Sequence, residues 1–169
     1  MNTSQPKIKL AWTTFDITLE VIGLIALMGI WMMLLYFYPK LPHTIPIHFD
    51  GAGKIDGYGN KFIIIFEPIG ASVLFIGLSI LNKYPHIFNY SSQITPENAA
   101  YQYRLATRLI RYIKLVIVLL FAFIMYTSIQ SAYTQTDGDG LILLPIFLAL
   151  IIIPNLVVLI KSTQNKKTK

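Results

Sequence analysis

Four long apolar runs divide this chain, and its densest polar stretch lies between the first two. The runs cover about 17–38, 62–81, 113–133 and 141–160. Each approaches the roughly 20 residues that a helix needs to cross a bilayer. The pattern predicts an all-α protein, an integral membrane four-helix bundle forming a single membrane domain over 1–169. The first run is too long for the apolar core of a signal peptide. No small-residue cleavage pattern follows Phe37, Tyr38 and Pro39, so the run is expected to stay as a span.

Composition supports a membrane setting. Hydrophobic residues make up 54% of the chain and charged residues 13%, against about 25% charged in an average soluble domain. Lipid does not penalise the surplus apolar surface. With no cysteine, disulfides and thiolate chemistry are excluded. The net charge of +6 would suggest nucleic acid in a soluble protein. Here the basic residues flank the apolar runs, so they are expected to set topology, and no nucleic-acid partner is expected.

Orientation follows from those flanks. If the spans alternate, Lys7, Lys9, Lys83, Arg104, Arg108, Arg111, Lys114, Lys161, Lys166, Lys167 and Lys169 share one side. The other side receives Lys40, Lys54 and Lys61, with Asp137 and Asp139 in a short turn. Eleven basic residues against three place both termini in the cytoplasm. The loop 39–61 and the turn 134–140 then face outward.

The link between the second and third runs carries a helix signal. Thr95, Pro96 and Glu97 read as an N-cap, a first-turn proline and a first-turn acid. An amphipathic cytoplasmic helix is expected over about 96–112, lying at the lipid surface or running straight into the third span. Arg104, Arg108 and Arg111 share one face, with Leu105, Leu109 and Ile110 away from it. With Lys114, these residues are expected to meet lipid phosphates or a cytoplasmic protein partner.

The outer loop holds the candidate chemistry. It packs His43, His48, Asp50, Asp56, three lysines, three prolines and four glycines into 39–61. Pro42 and Pro46 bias their neighbours to extended backbone. Ile45, Ile47 and Phe49 alternate with Pro46 and His48, the period of a short strand with one apolar face. His48 and Asp50 share the other face. Asp50-Gly51 and Asp56-Gly57 read as turn dipeptides, so the loop is expected to be an ordered cap. His48, Asp50 and Asp56 are metal-ligand candidates by residue type, but the spacing matches neither a zinc motif nor a calcium loop. The aspartates are equally suited to bond their own turn amides. No nucleophile, HExxH or glycine–serine elbow accompanies them, so no catalytic residue is assigned and no cofactor is expected.

Glu67 stands inside the second run, about six residues from its outer end. An acid there is costly unless it faces the bundle or the loop. It is expected either to anchor the loop, with Lys61 or His48 as partner, or to couple an ion or substrate. In the fourth run, Pro145 stands near the outer end and Pro154 is expected to kink the helix. The polar cluster Tyr126, Thr127, Ser128, Gln130 and Ser131 is expected to pack against helices or under the loop.

The run YPKLPHTIPIHFDGAGKIDGYGNK at 38–61 resembles the signature of the bacterial membrane domain of unknown function 1648 (DUF1648). That signature is an LPxxIPxHF stretch followed by glycine, aspartate and lysine before the next span. It falls here on Leu41, Pro42, Ile45, Pro46, His48, Phe49, Gly53, Asp56, Gly57 and Lys61. The stretch at 83–114 is also similar to members of that family, and the two together cover about a third of the chain. The resemblance extends to the immunity proteins of sporulation-delaying toxin systems. It implies a bacterial cell membrane location and protection against an extracellular peptide toxin, with sequestration of a cytoplasmic repressor.

The leading expectation is therefore a binding, sensing or immunity protein meeting an extracellular peptide through its outer loop. Its ligand-binding candidates are Pro42, Pro46, His48, Phe49, Asp50, Asp56, Lys61 and Glu67. One alternative is a small carrier or accessory subunit using Glu67, which requires a homo-oligomer because four spans are few for a carrier. Another is a metal-dependent membrane enzyme built on His48 and the aspartates.

Overall fold

The computed structural model of the chain describes residues 5–50, 54–134 and 143–164. Helix α1 (Thr14–Phe37) opens at a capping box, in which Thr13 accepts from the Asp16 N–H and Asp16 accepts from the Thr13 N–H. It closes in a 3-10 turn, Tyr38–Lys40, where Pro39 removes a donor. Strands β1 (Thr44–Phe49) and β2 (Ile55–Asn60) follow. The Asn60 side chain accepts from the Phe62 N–H and starts a 3-10 turn, Lys61–Ile65, that feeds α2 (Phe66–Leu81). A linker leads to α3 (Ala99–Thr134), and α4 (Leu143–Gln164) ends the described chain.

The third apolar run and the amphipathic stretch before it form one continuous helix. At 1.5 Å per residue its 36 residues span about 54 Å, well beyond a hydrocarbon core of about 30 Å. Its first turns therefore project past the membrane-spanning part. The start differs from the expected cap at Thr95. Asn98 accepts from the Thr95 N–H, and Thr95 holds the Ala99 N–H through its carbonyl, so regular helix begins at Ala99.

Helices α1 and α3 run side by side in the same direction. Asp16 meets Arg108 at one end, and the Phe37 and Tyr133 rings are 6.3 Å apart at the other. Helix α2 returns antiparallel between those ends, and α4 lies outside the three against α3. Leu27, Ile30, Leu34, Ile64, Ala71, Val118, Met125 and Ile129 are buried between the helices. Leu41 and Ile45, at the start of the hairpin, belong to the same cluster. Outward faces stay apolar, with Met32, Leu35, Val73 and Ile153 exposed. Among the described residues, four helices are long and apolar enough to cross a membrane. Their exposed apolar faces are what lipid tolerates and water does not.

The hairpin corrects the all-α expectation, because β1 and β2 form a two-stranded antiparallel sheet. The pairing is irregular twice. Pro46 faces Tyr58 and His48 faces Gly57, so Ile47 is extra on β1; Phe49 then faces Ile55, so Asp56 is extra on β2. The first bulge breaks the expected alternation, since Ile45 is buried while Ile47 is exposed. Asp56 and Gly57 stand within β2 and not in a turn. The expected turn at 134–140, with Asp137 and Asp139, falls largely outside the described residues, as do Gly51 and Gly53.

Candidate functional site

Two charged constellations stand at opposite ends of the bundle. At the hairpin end, His48 Nδ1 and Asp56 Oδ1 pair across the strands at the two bulges. Both side chains are exposed, 70% for His48 and 43% for Asp56. The bulges turn two positions of different strands toward each other, which regular alternation would not do. Gly57 makes room for this, because a Cβ there would stand 2.9 Å from His48 Cβ.

Asp50 takes a different role. It accepts from the Lys54 N–H at 2.9 Å, closing the hairpin through its own turn. The aspartates thus separate: Asp50 binds local backbone and Asp56 binds His48. Among the described residues, no three His, Asp or Glu side chains gather as metal ligands. His48, Asp50 and Asp56 are consequently not brought together as one ligand set.

The hairpin is fixed to the bundle by Lys61 and not by Glu67. Lys61 Nζ donates to the carbonyls of Tyr38 at 3.2 Å and Leu41 at 3.0 Å, with the Tyr38 ring beneath it. These are carbonyls at and just beyond the end of α1, where a cation is favoured. Pro46 is buried, Pro42 is exposed and Phe49 is half-buried. Glu67 lies in the first turn of α2, half-buried, and has no hydrogen-bond or ion-pair partner among the described residues. The expected pairs with Lys61 and His48 are not formed. In the polar segment of α3, Ser131 is buried, whereas Tyr126 is exposed.

At the other end, α1 carries two acids that the sequence reading passes over. Asp16 accepts from Arg108 Nε at 3.2 Å and Arg111 Nη1 at 3.4 Å. Glu20 pairs with Arg111 Nε at 3.3 Å and with Lys114 Nζ, which also donates to Ser79 Oγ of α2 at 2.7 Å. Lys114 is 1% exposed and Arg111 7%. These cations face α1 and α2, not the surroundings of the bundle. The signal for this layer is a matched spacing: acids at i and i+4 on one helix, bases at i, i+3 and i+6 on another. Of the predicted stripe, Arg104 alone has no ion-pair partner among the described residues.

The segments flanking this layer are tied to it. Tyr103 donates to the Pro6 carbonyl, Gln5 to the Phe88 carbonyl, and Gln102 exchanges two hydrogen bonds with Ser162 at the end of α4. Tyr90 donates to the Pro85 carbonyl. Burial, and secondarily the neighbouring Tyr103, hold the Tyr90 phenol above its ordinary range.

A family model described as a domain of unknown function (DUF1648) matches residues 24–70, the C-terminal part of α1 through the hairpin into α2. An uncharacterized protein of Archaeoglobus fulgidus is 29% identical over 76 residues, 40% of this chain and 42% of the relative. The chain thus spans about two fifths of the length of that relative. No solved structure matches the chain. The matched segment contains the whole hairpin and both partners of the His48–Asp56 pair.

Proposed function

We propose that this membrane protein is a ligand-binding protein of the immunity or sensing type, receiving an extracellular peptide on its hairpin. The observation that carries the reading is the exposed His48–Asp56 pair on a hairpin fixed to the bundle. An exposed ion pair contributes only about 0–1 kcal/mol to stability. Two bulges and a sterically required Gly57 are more apparatus than such a contribution needs, and they suit a presented recognition surface. The excess of lysine and arginine near the termini supports an outward-facing hairpin.

The test is survival of cells expressing the chain under challenge with extracellular peptide toxins, beside a His48→Ala, Asp56→Ala variant expressed equally. Protection by the native chain and its loss in the variant is the expected result. Equal protection by both removes the hairpin from the function.

A second reading rests on Glu67, a half-buried carboxylate in a spanning helix with no partner among the described residues. Intramembrane acids of this kind serve ion or substrate coupling. Its test is ion flux in proteoliposomes, where Glu67→Gln must abolish any flux carried by the native chain.

A further inference from the structure

Beside the ion-pair layer, between the N-terminal segment and the end of α2, lies a cavity of about 300 Å³. That is at the lower end of the ~300–1,000 Å³ range of small-ligand pockets. Lys9, Lys83, Arg104 and Arg111 line it, against the single carboxylate of Asp16. The imbalance falls on Lys9, Lys83 and Arg104, because Arg111 already faces both Asp16 and Glu20. Asp16 already accepts four hydrogen bonds: on Oδ2 from the N–H and the hydroxyl of Thr13, on Oδ1 from Arg108 and Arg111. A carboxylate offers about four lone-pair sites, so Asp16 has nothing left for Lys9, Lys83 or Arg104.

Two further observations point to a ligand. Among the described residues, Arg111 Nε is buried without a hydrogen bond, since Glu20 stands within ion-pair distance but off hydrogen-bond geometry. Asn82 Oδ1, on the same wall, is a buried acceptor without a donor among the described residues. A planar guanidinium beside lysine ammoniums is the donor set that recognises phosphate oxygens. The Asn82 acceptor matches a hydroxyl or ammonium carried next to such a phosphate.

The position of the cavity fits a membrane boundary. It lies where α1 begins and α2 ends, beside the exposed Trp12 ring that also stacks on Arg111. Tryptophan is enriched at the headgroup level.

We propose that this cavity is a binding site for a phosphate-bearing anion, held by Arg104, Arg111, Lys9 and Lys83. Lipid headgroup and free phosphate share that chemistry, and the experiment separates them. The purified full chain is delipidated in a non-ionic detergent. It is then offered phosphatidylglycerol, with retention read by native mass spectrometry, or inorganic phosphate, with binding read by phosphorus NMR line broadening. An Arg104→Gln, Lys83→Gln variant is compared with Lys54→Gln on the hairpin as control.

The expected result is saturable binding by the native chain and the control, weakened at least tenfold in the variant. Phosphatidylglycerol retained without inorganic phosphate binding assigns a lipid headgroup, and the reverse assigns free phosphate. If the first variant does not fold, Lys9→Gln, Lys83→Gln removes two exposed cations instead. Binding of neither probe by the native chain, or equal binding by a folded variant, overturns the site.

Discussion

Lys114 of α3 donates to Glu20 of α1 inside the bundle, with its side chain 1% exposed. The same ammonium reaches Ser79 of α2, so one side chain joins all three core helices. Removing one partner of a buried pair leaves an uncompensated charge and costs about 3–5 kcal/mol. Glu20 keeps Arg111 as a partner, so Lys114→Met is expected to lower stability by about 3 kcal/mol, the lower end of that range, measured by denaturant unfolding in detergent. The combined Glu20→Gln, Lys114→Met variant is expected to cost less than the sum of the two single changes, because each alone already removes the Glu20–Lys114 contact and Arg111 keeps Asp16 as a partner. A double variant as unstable as the sum of the single changes would contradict this account.

Much of this architecture is legible in the sequence. A bilayer demands about 20 apolar residues per helix, so run length alone locates α1, α2, α4 and the C-terminal part of α3. The ordered hairpin is announced by its prolines, glycines and alternating isoleucines. The bulges at Ile47 and Asp56 are not announced, because no residue type marks an extra strand position, and they decide that Asp56 meets His48. The partnership of Asp16 and Glu20 with Arg108, Arg111 and Lys114 is half-written. A stripe of charge names a face of its own helix, but not which neighbour covers that face. Reading the arginines as an outer surface follows naturally when α1 is treated as uniformly apolar.

Lys61 predicts a local effect and not a global one. Its Nζ holds two carbonyls near the end of α1, and charge-assisted hydrogen bonds contribute about 1.5–3 kcal/mol. Lys61→Met is expected to loosen the hairpin by about 2 kcal/mol while the helices stay folded. Hydrogen exchange is the measurement: amides of 44–49 and 55–60 should exchange faster, and those of α3 should not.

The exposed His48–Asp56 pair makes the opposite prediction about stability. Because exposed pairs contribute at most about 1 kcal/mol, Asp56→Ala should leave the thermal midpoint within about 4 °C of the native chain. A large drop would mean that the pair is a structural clamp. Any loss of function would then reflect unfolding of the hairpin and not a missing contact.

Two glycines of β2 distinguish a rigid neighbour from a yielding one. A Cβ at Gly59 would stand 2.5 Å from Ile47 Cδ1, and one at Gly57 would stand 2.9 Å from His48 Cβ. Distance alone ranks Gly59 as the tighter position. Ile47 Cδ1, however, is the tip of an exposed side chain that can rotate away, whereas His48 Cβ is fixed to the strand backbone. Gly57→Ala must therefore move β1 itself, at the 1–3 kcal/mol typical of overpacking, and should part His48 from Asp56. Gly59→Ala should cost less than about 1 kcal/mol by the same reasoning. Backbone amide shifts in NMR spectra check this: Gly57→Ala should displace signals along both strands, and Gly59→Ala should disturb mainly those around Ile47 and Ile63. The reverse ranking would show that backbone at the bulge yields more readily than the isoleucine side chain.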